Sequence, residues 1–171
     1  MAAGVHFGRV WETGRLVFLS TFEKQLDAKR RIVVPQDFRA LVSGPFDGVF
    51  CFPSIEADCI EGGGKVLFDR YVATIDEFPF GDSVRSALEL SVYGGMAKLS
   101  FDTAGRITLP ETLCDQFGID DWVVVVGLGD RFQIWGREAF QAHRQSQRLV
   151  AREGLADYRA RQRLLRTGSE G

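Results

Sequence analysis

Asp27 and Arg31 stand four residues apart, and so do Asp102 and Arg106. An aspartate at the start of a tight turn accepts the backbone N–H two residues on. A guanidinium is a planar fork of donors that matches phosphate oxygens or the major-groove edge of guanine. The first pair lies in LDAKRRIVVP, residues 26–35, and the second in FDTAGRITLP, residues 101–110, 75 positions later. The two decapeptides share Asp27/Asp102, Arg31/Arg106, Ile32/Ile107 and Pro35/Pro110. One such motif reads most simply as a turn in which the carboxylate caps the backbone and the arginine pairs with it. Two copies in matching contexts add a second reading, because a surface arginine is rarely needed for packing. Together they present two cations symmetrically. Lys29, Arg30 and Arg31 make the first copy the richer, with three adjacent cations, and Arg106 is its counterpart in the second.

The elements that position these residues follow from the repeat. Two copies are too few for a solenoid, so the chain reads as a duplicated half-domain whose halves fold around one core. Residues 17–26, VFLSTFEKQL, have strand character; DAKR is a turn, RIVV a β-branched strand, and Pro35 opens a short helix PQDFRALV. The second copy repeats this as AKLSF, DTAG, RITL and PETLCDQFG, with Gly118 as the helix stop. WVVVV (122–126), GLGD and RFQIW then form a hairpin. The corresponding part of the first half, VSGPFDGVFCFP, reads as one strand short. A helical region is expected from Ser54, broken by Gly62-Gly63-Gly64 and resumed as KVLFDRYVATIDEF and DSVRSALELSVY. A last helix spans about 137–165 with a thin apolar set and many arginines. The fold class is α+β, with β-rich halves that must pair to bury their sheets.

Bulk properties exclude several classes. Hydrophobic content of 45% and charged content of 26% over 171 residues are those of a globular protein. No apolar run reaches the ~18 residues that span a membrane, and the first 16 residues lack the apolar stretch of a secretory signal. Cys51, Cys59 and Cys114 have no CxxC spacing and read as buried thiols in a reducing cytosol. His6 and His143 are the only histidines, too few for a histidine metal site or dyad. No constellation positions a nucleophile, so neither an enzyme nor a metal or other cofactor is expected. GGGK at 62–65 is not a phosphate loop, because the position that needs the first Gly does not have it and Val66 occupies the one that needs Ser or Thr.

The net charge is −2, yet the charge is unevenly spread. Residues 137–166 hold eight arginines against three acids, while everything before them holds 13 basic and 19 acidic residues. A cationic turn on an acidic body stands out, and local fields decide partners.

The doubled Asp-x-x-x-Arg motifs, together with SVYGGMAKLSFDTAGRITLP and WVVVVGLGDRFQIW, resemble the MraZ family from about Phe18 to about Arg144. The resemblance implies two AbrB-type swapped-hairpin β-barrel halves in one chain, with flanking helices and a C-terminal helix. The boundaries are then a flexible extension over 1–17, a first half over 18–80, a second over 81–144, and a basic helix and tail over 145–171. It implies a cytoplasmic, nucleoid-associated transcriptional regulator. Such a protein assembles as a ring-shaped homo-oligomer on double-stranded DNA, at G-rich direct repeats upstream of the division and cell wall gene cluster that includes its own gene. Carried over by motif position, Lys29, Arg30, Arg31 and Arg106 face the DNA, whereas Asp27, Asp102 and Gly105 shape the turns. The family has Gly just before the motif arginine. Gly105 keeps it, but the first copy has Arg30, costly at positive φ, which points to a turn of different shape and an added phosphate contact. Ala104 stands where a polar or basic residue is common, so the second contact set is expected to be thinner. The alternative is a protein-interaction or antitoxin-type module that works through the Arg-rich C-terminal helix.

Overall fold

The computed structural model describes residues 17–42, 44 and 46–167; of the expected extension over 1–17, all but Val17 lies outside them. The elements run β1 (Thr21–Gln25), β2 (Arg31–Val33), α1 (Gln36–Leu41), β3 (Gly48–Pro53), β4 (Ile60–Gly63), α2 (Lys65–Asp76), α3 (Ser83–Leu88), β5 (Ala97–Ser100), β6 (Arg106–Thr108), α4 (Glu111–Gln116), β7 (Trp122–Gly127), β8 (Phe132–Gly136) and α5 (Arg137–Thr167). A π-helical turn, Glu89–Tyr93, continues α3. The chain divides into two compact units, one ending at Arg137 and the other beginning at Glu138.

The first unit is built on antiparallel pairing between the two copies of the repeat. Six strands form one sheet in the order β1-β7-β8-β4-β3-β5, and β2 pairs with β6 in a separate ribbon. The first-copy strand β1 thus lies beside second-copy β7, with Thr21 opposite Val126 and Gln25 opposite Trp122. Second-copy β5 lies beside first-copy β3, with Val49 opposite Leu99. The apolar positions that the decapeptides share are the ones that meet. Ile32 and Ile107 face each other in the ribbon register and are both 1% exposed. Phe38 of α1 packs among Phe18, Phe22 and Phe132, with ring centroids 5.0, 5.5 and 5.6 Å away. Full burial of one such ring stabilises the fold by roughly 1.5–3 kcal/mol.

The first half is not one strand short. Residues 60–63, expected inside a helical region from Ser54, form β4, and helix starts only at Lys65. β4 pairs with β3 and with β8, so both halves carry the same succession of strands. The glycines are there because neighbouring side chains fill the space. A Cβ at Gly62 would lie 2.5 Å from Phe132 Cζ, one at Gly63 2.9 Å from Leu67 Cβ, and one at Gly64 3.1 Å from Val42 Cγ1. The glycines mark a closely packed strand and the entry to α2, not a broken helix.

In the second unit, α5 is a 31-residue helix, roughly 45 Å long at 1.5 Å per residue. Leu149, Val150, Leu155, Tyr158, Leu164 and Leu165 are exposed along it. No helix among the described residues is long and apolar enough to cross a membrane.

Candidate nucleic-acid interface

The turn between β1 and β2 is built by Asp27. Its Oδ1 accepts the backbone N–H of Lys29 and of Arg31, both at 2.9 Å, and its Oδ2 accepts Arg31 Nε at 2.7 Å. The turn between β5 and β6 repeats this geometry. Asp102 Oδ1 accepts the N–H of Ala104 and of Arg106 at 2.9 Å, and Oδ2 accepts Arg106 Nε at 2.7 Å. Backbone bonds agree as well, with Arg30 N–H donating to Asp27 O and Gly105 N–H to Asp102 O, both at 2.9 Å. Both carboxyls are held below the usual aspartate range. In each case the backbone N–H of the motif arginine is the largest cause, and its guanidinium reinforces the effect against a smaller opposing effect of burial. The capping and pairing role that the motif alone suggested is therefore real at both turns. It also orients the guanidinium, which has five N–H donors and gives Nε to its aspartate.

Strand register places the two motif arginines on one face. Arg31 is opposite Thr108, Ile32 opposite Ile107, and Val33 opposite Arg106. Side chains alternate along a strand, and directly opposite residues share a face. Arg31, Val33, Arg106 and Thr108 therefore lie on the face away from the buried Ile32 and Ile107. Two residue steps, roughly 7 Å along the ribbon, separate the arginine positions. The pairing puts Arg31 and Arg106 on one face, with Lys29 and Arg30 in the turn that adjoins the Arg31 end of the ribbon and the second turn at the opposite end.

Arg30 does not change the shape of the turn. It adopts φ +58°, in the same left-handed region as Gly105 at φ +72°. The expected cost of a side chain there is real, about 1–2 kcal/mol. Asp27 outweighs it, since its cap needs this backbone path, and Arg30 O also accepts Leu109 N–H at 2.8 Å.

The ribbon sets each turn against the short helix of the other copy. Leu109 N–H donates to Arg30 O, and Val34 N–H donates to Gly105 O at 3.1 Å. At the first turn, Arg30 reaches Glu111 of α4, with Nη2 3.8 Å from Oε2. Its charge is also felt by Cys114 of α4, whose thiol burial pushes up and Arg30 pulls back down. At the second turn, the guanidinium of Arg39 on α1 lies against Gly105. A Cβ on Gly105 would sit 2.5 Å from Arg39 Cζ. Reading the sequence missed Arg39, although extending the repeat alignment by four residues beyond Pro35 reaches it, opposite Cys114.

The remaining reactive side chains do other work. Burial raises the Cys51 thiol to about 12, and burial followed by the nearby Glu61 carboxylate raises Cys59 to about 12, which keeps both inert. Glu61, 1% exposed, accepts Tyr71 Oη at 2.7 Å, Arg131 Nε at 2.7 Å and Gln133 Nε2 at 3.2 Å. That network ties β4 to β8 and α2 and is structural.

Fold and site together define an α+β chain with a largely antiparallel sheet, in which two like-shaped Asp–Arg turns flank a two-stranded ribbon. Comparison with known proteins agrees. A family model described as "MraZ protein, putative antitoxin-like" matches residues 92–164. "Transcriptional regulator MraZ" of Phenylobacterium zucineum is 76% identical over 155 residues, covering 91% of this chain and 97% of that protein. The protein of the same name from Caulobacter vibrioides (strain NA1000 / CB15N) is 76% identical over 147 residues, covering 86% and 94%. That from Xanthobacter autotrophicus is 37% identical over 127 residues, covering 74% and 81%. The chain belongs to the MraZ family.

Proposed function

We propose that this chain is a DNA-binding transcriptional regulator that assembles as a ring-shaped oligomer. It reads G-rich direct repeats upstream of the division and cell wall gene cluster, including its own gene, and works in the cytoplasm at the nucleoid. The observation that carries the reading is the pair of like-shaped Asp–Arg turns, with Arg31 and Arg106 on one exposed ribbon face. Lys29, Arg30, Arg31 and Arg106 are the contact residues, and Asp27, Asp102 and Gly105 hold the turns. The names of the relatives support a regulator of transcription. The exchange of β1 and β5 between copies supports the AbrB-type swapped-hairpin reading.

The physics requires several copies. Affinity for a duplex grows as bound cations release its condensed counterions. Two turns neutralise few phosphates, but an oligomer repeats them, and the second contact becomes intramolecular with a high effective concentration. Translationally repeated subunits suit direct repeats, as two-fold dimers suit palindromes. The acidic remainder of the first unit limits indiscriminate binding and leaves the turns attractive.

Fluorescence anisotropy with the duplex upstream of the gene, a scrambled duplex and Arg31→Ala tests this. Selective binding with a steep salt dependence, lost in the variant without a change of assembly, is the expected result. Equal binding of both duplexes, or an unaffected variant, refutes the assignment.

A further inference from the structure

We infer that Arg39 and Arg30 are an interchangeable pair, each placing one additional guanidinium at one of the two turns, so that Arg39 is an unassigned DNA-phosphate contact of the second turn. This deepens the DNA-binding reading and rests on it.

The starting point is a charge imbalance. The first turn carries Lys29, Arg30 and Arg31 against Asp27, whereas the second carries Arg106 against Asp102 and has no net charge of its own. A tip without net charge contributes little counterion release. Arg39 corrects this from the other copy, because strand pairing sets α1 against the second turn.

Steric fit makes the two sites reciprocal. In the repeat alignment Arg30 corresponds to Gly105, and Arg39 to Cys114. At the second turn the helix supplies the arginine and the turn supplies glycine, and a Cβ there would require the Arg39 guanidinium to move. At the first turn the arrangement is reversed, with Arg30 supplied by the turn beside the small Cys114. Each turn thus has one guanidinium besides that of its motif arginine, supplied by the turn in one case and by the facing helix in the other.

The bonding pattern separates this from a packing role. Arginines kept for structure usually have their buried donors satisfied. Arg30 Nε and Arg39 Nε are both buried, and both lack a hydrogen-bond partner among the described residues. Internal hydrogen bonding at Nε therefore does not account for either guanidinium, and a phosphate would be met by the outer nitrogens, since the two Nε atoms are themselves buried.

Reciprocity gives a direct test on the full-length protein. Anisotropy titrations at several salt concentrations would compare wild type, Arg39→Gln, Arg30→Gly and the double variant Arg30→Gly/Cys114→Arg, on the upstream and scrambled duplexes. Arg39→Gln and Arg30→Gly should each weaken binding to both duplexes several-fold. Each should also flatten the log–log salt slope by roughly 0.9 for every phosphate it no longer neutralises. The double variant should recover the wild-type slope, because it rebuilds at the first turn what Arg39 and Gly105 form at the second. If Arg39→Gln keeps the wild-type slope, or the double variant stays as weak as Arg30→Gly, the inference is overturned while the DNA-binding reading stands. If wild type binds neither duplex, both are overturned. Melting curves identify a variant that fails to fold; should that be Arg39→Gln, the Arg30→Gly comparison decides alone.

Discussion

Glu61 of β4 and Arg131, adjoining β8, form an ion pair 2.7 Å long, with the carboxylate 1% exposed. The two lie 70 residues apart and belong to different copies of the repeat. Tyr71 and Gln133 complete the carboxylate's bonding. Removing one member of a buried pair leaves the other uncompensated, at a cost of about 3–5 kcal/mol. Glu61→Ala should therefore lower stability in urea unfolding by about that amount. Adding Arg131→Met should recover part of the loss, because the stranded charge goes with it. Additive losses in the double-mutant cycle would show that the pair does not couple the halves.

Asp27 and Asp102 make the turns sensitive to acid. Both carboxyls lie below the ordinary aspartate value of 3.8, chiefly through the backbone N–H groups of Arg31 and Arg106. A depressed carboxyl stabilises the fold above its unfolded value, and that contribution is lost as pH falls through the folded value. Stability should thus be flat for these groups above about pH 5 and decline below about pH 4. Asp27→Asn should flatten that decline, and NMR titration of the two carboxyl carbons should give midpoints below 3.8. Midpoints at or above that value would mean that the caps are not formed in solution.

Local chemistry made much of this readable in the sequence. Asp at a turn start, Pro35 and Pro110 at helix mouths and the GLGD hairpin each act through neighbours a few residues away, and each lies where expected. What escaped depends on distant contacts. The triple glycine looks like a broken helix until Phe132 and Leu67 are seen to fill the space above it. The strain at Arg30 was legible, but the Asp27 cap and the bond from Leu109 that outweigh it were not. Arg39 carries no motif of its own and becomes notable only when β2 pairs with β6 and sets it against Gly105.

The glycine account of β4 can be checked at one residue. A methyl group at Gly62 would lie 2.5 Å from Phe132 Cζ, and Phe132 is 1% exposed and packed in the main core. Overpacking of this kind costs about 1–3 kcal/mol. Gly62→Ala should lower stability by that amount, whereas the same substitution in a true helix would raise it by about 1 kcal/mol. The sign of the change in urea midpoint distinguishes strand from helix.

The proposed contact role of Arg30 sets stability against binding. Its left-handed conformation at φ +58° carries a side chain where Gly105 has none. The strain of about 1–2 kcal/mol is relieved by glycine, and part of the gain is offset by glycine's greater freedom in the unfolded chain. Arg30→Gly should therefore raise stability by up to about 1 kcal/mol, or roughly 3 °C in melting temperature for a chain of this size. The same variant removes a cation from the first turn and should bind DNA more weakly. A strained residue that raised stability when removed and weakened DNA binding as well would fit the proposed contact role. If calorimetry finds Arg30→Gly less stable than wild type, Arg30 is held by packing on α4, and its strain needs no functional explanation.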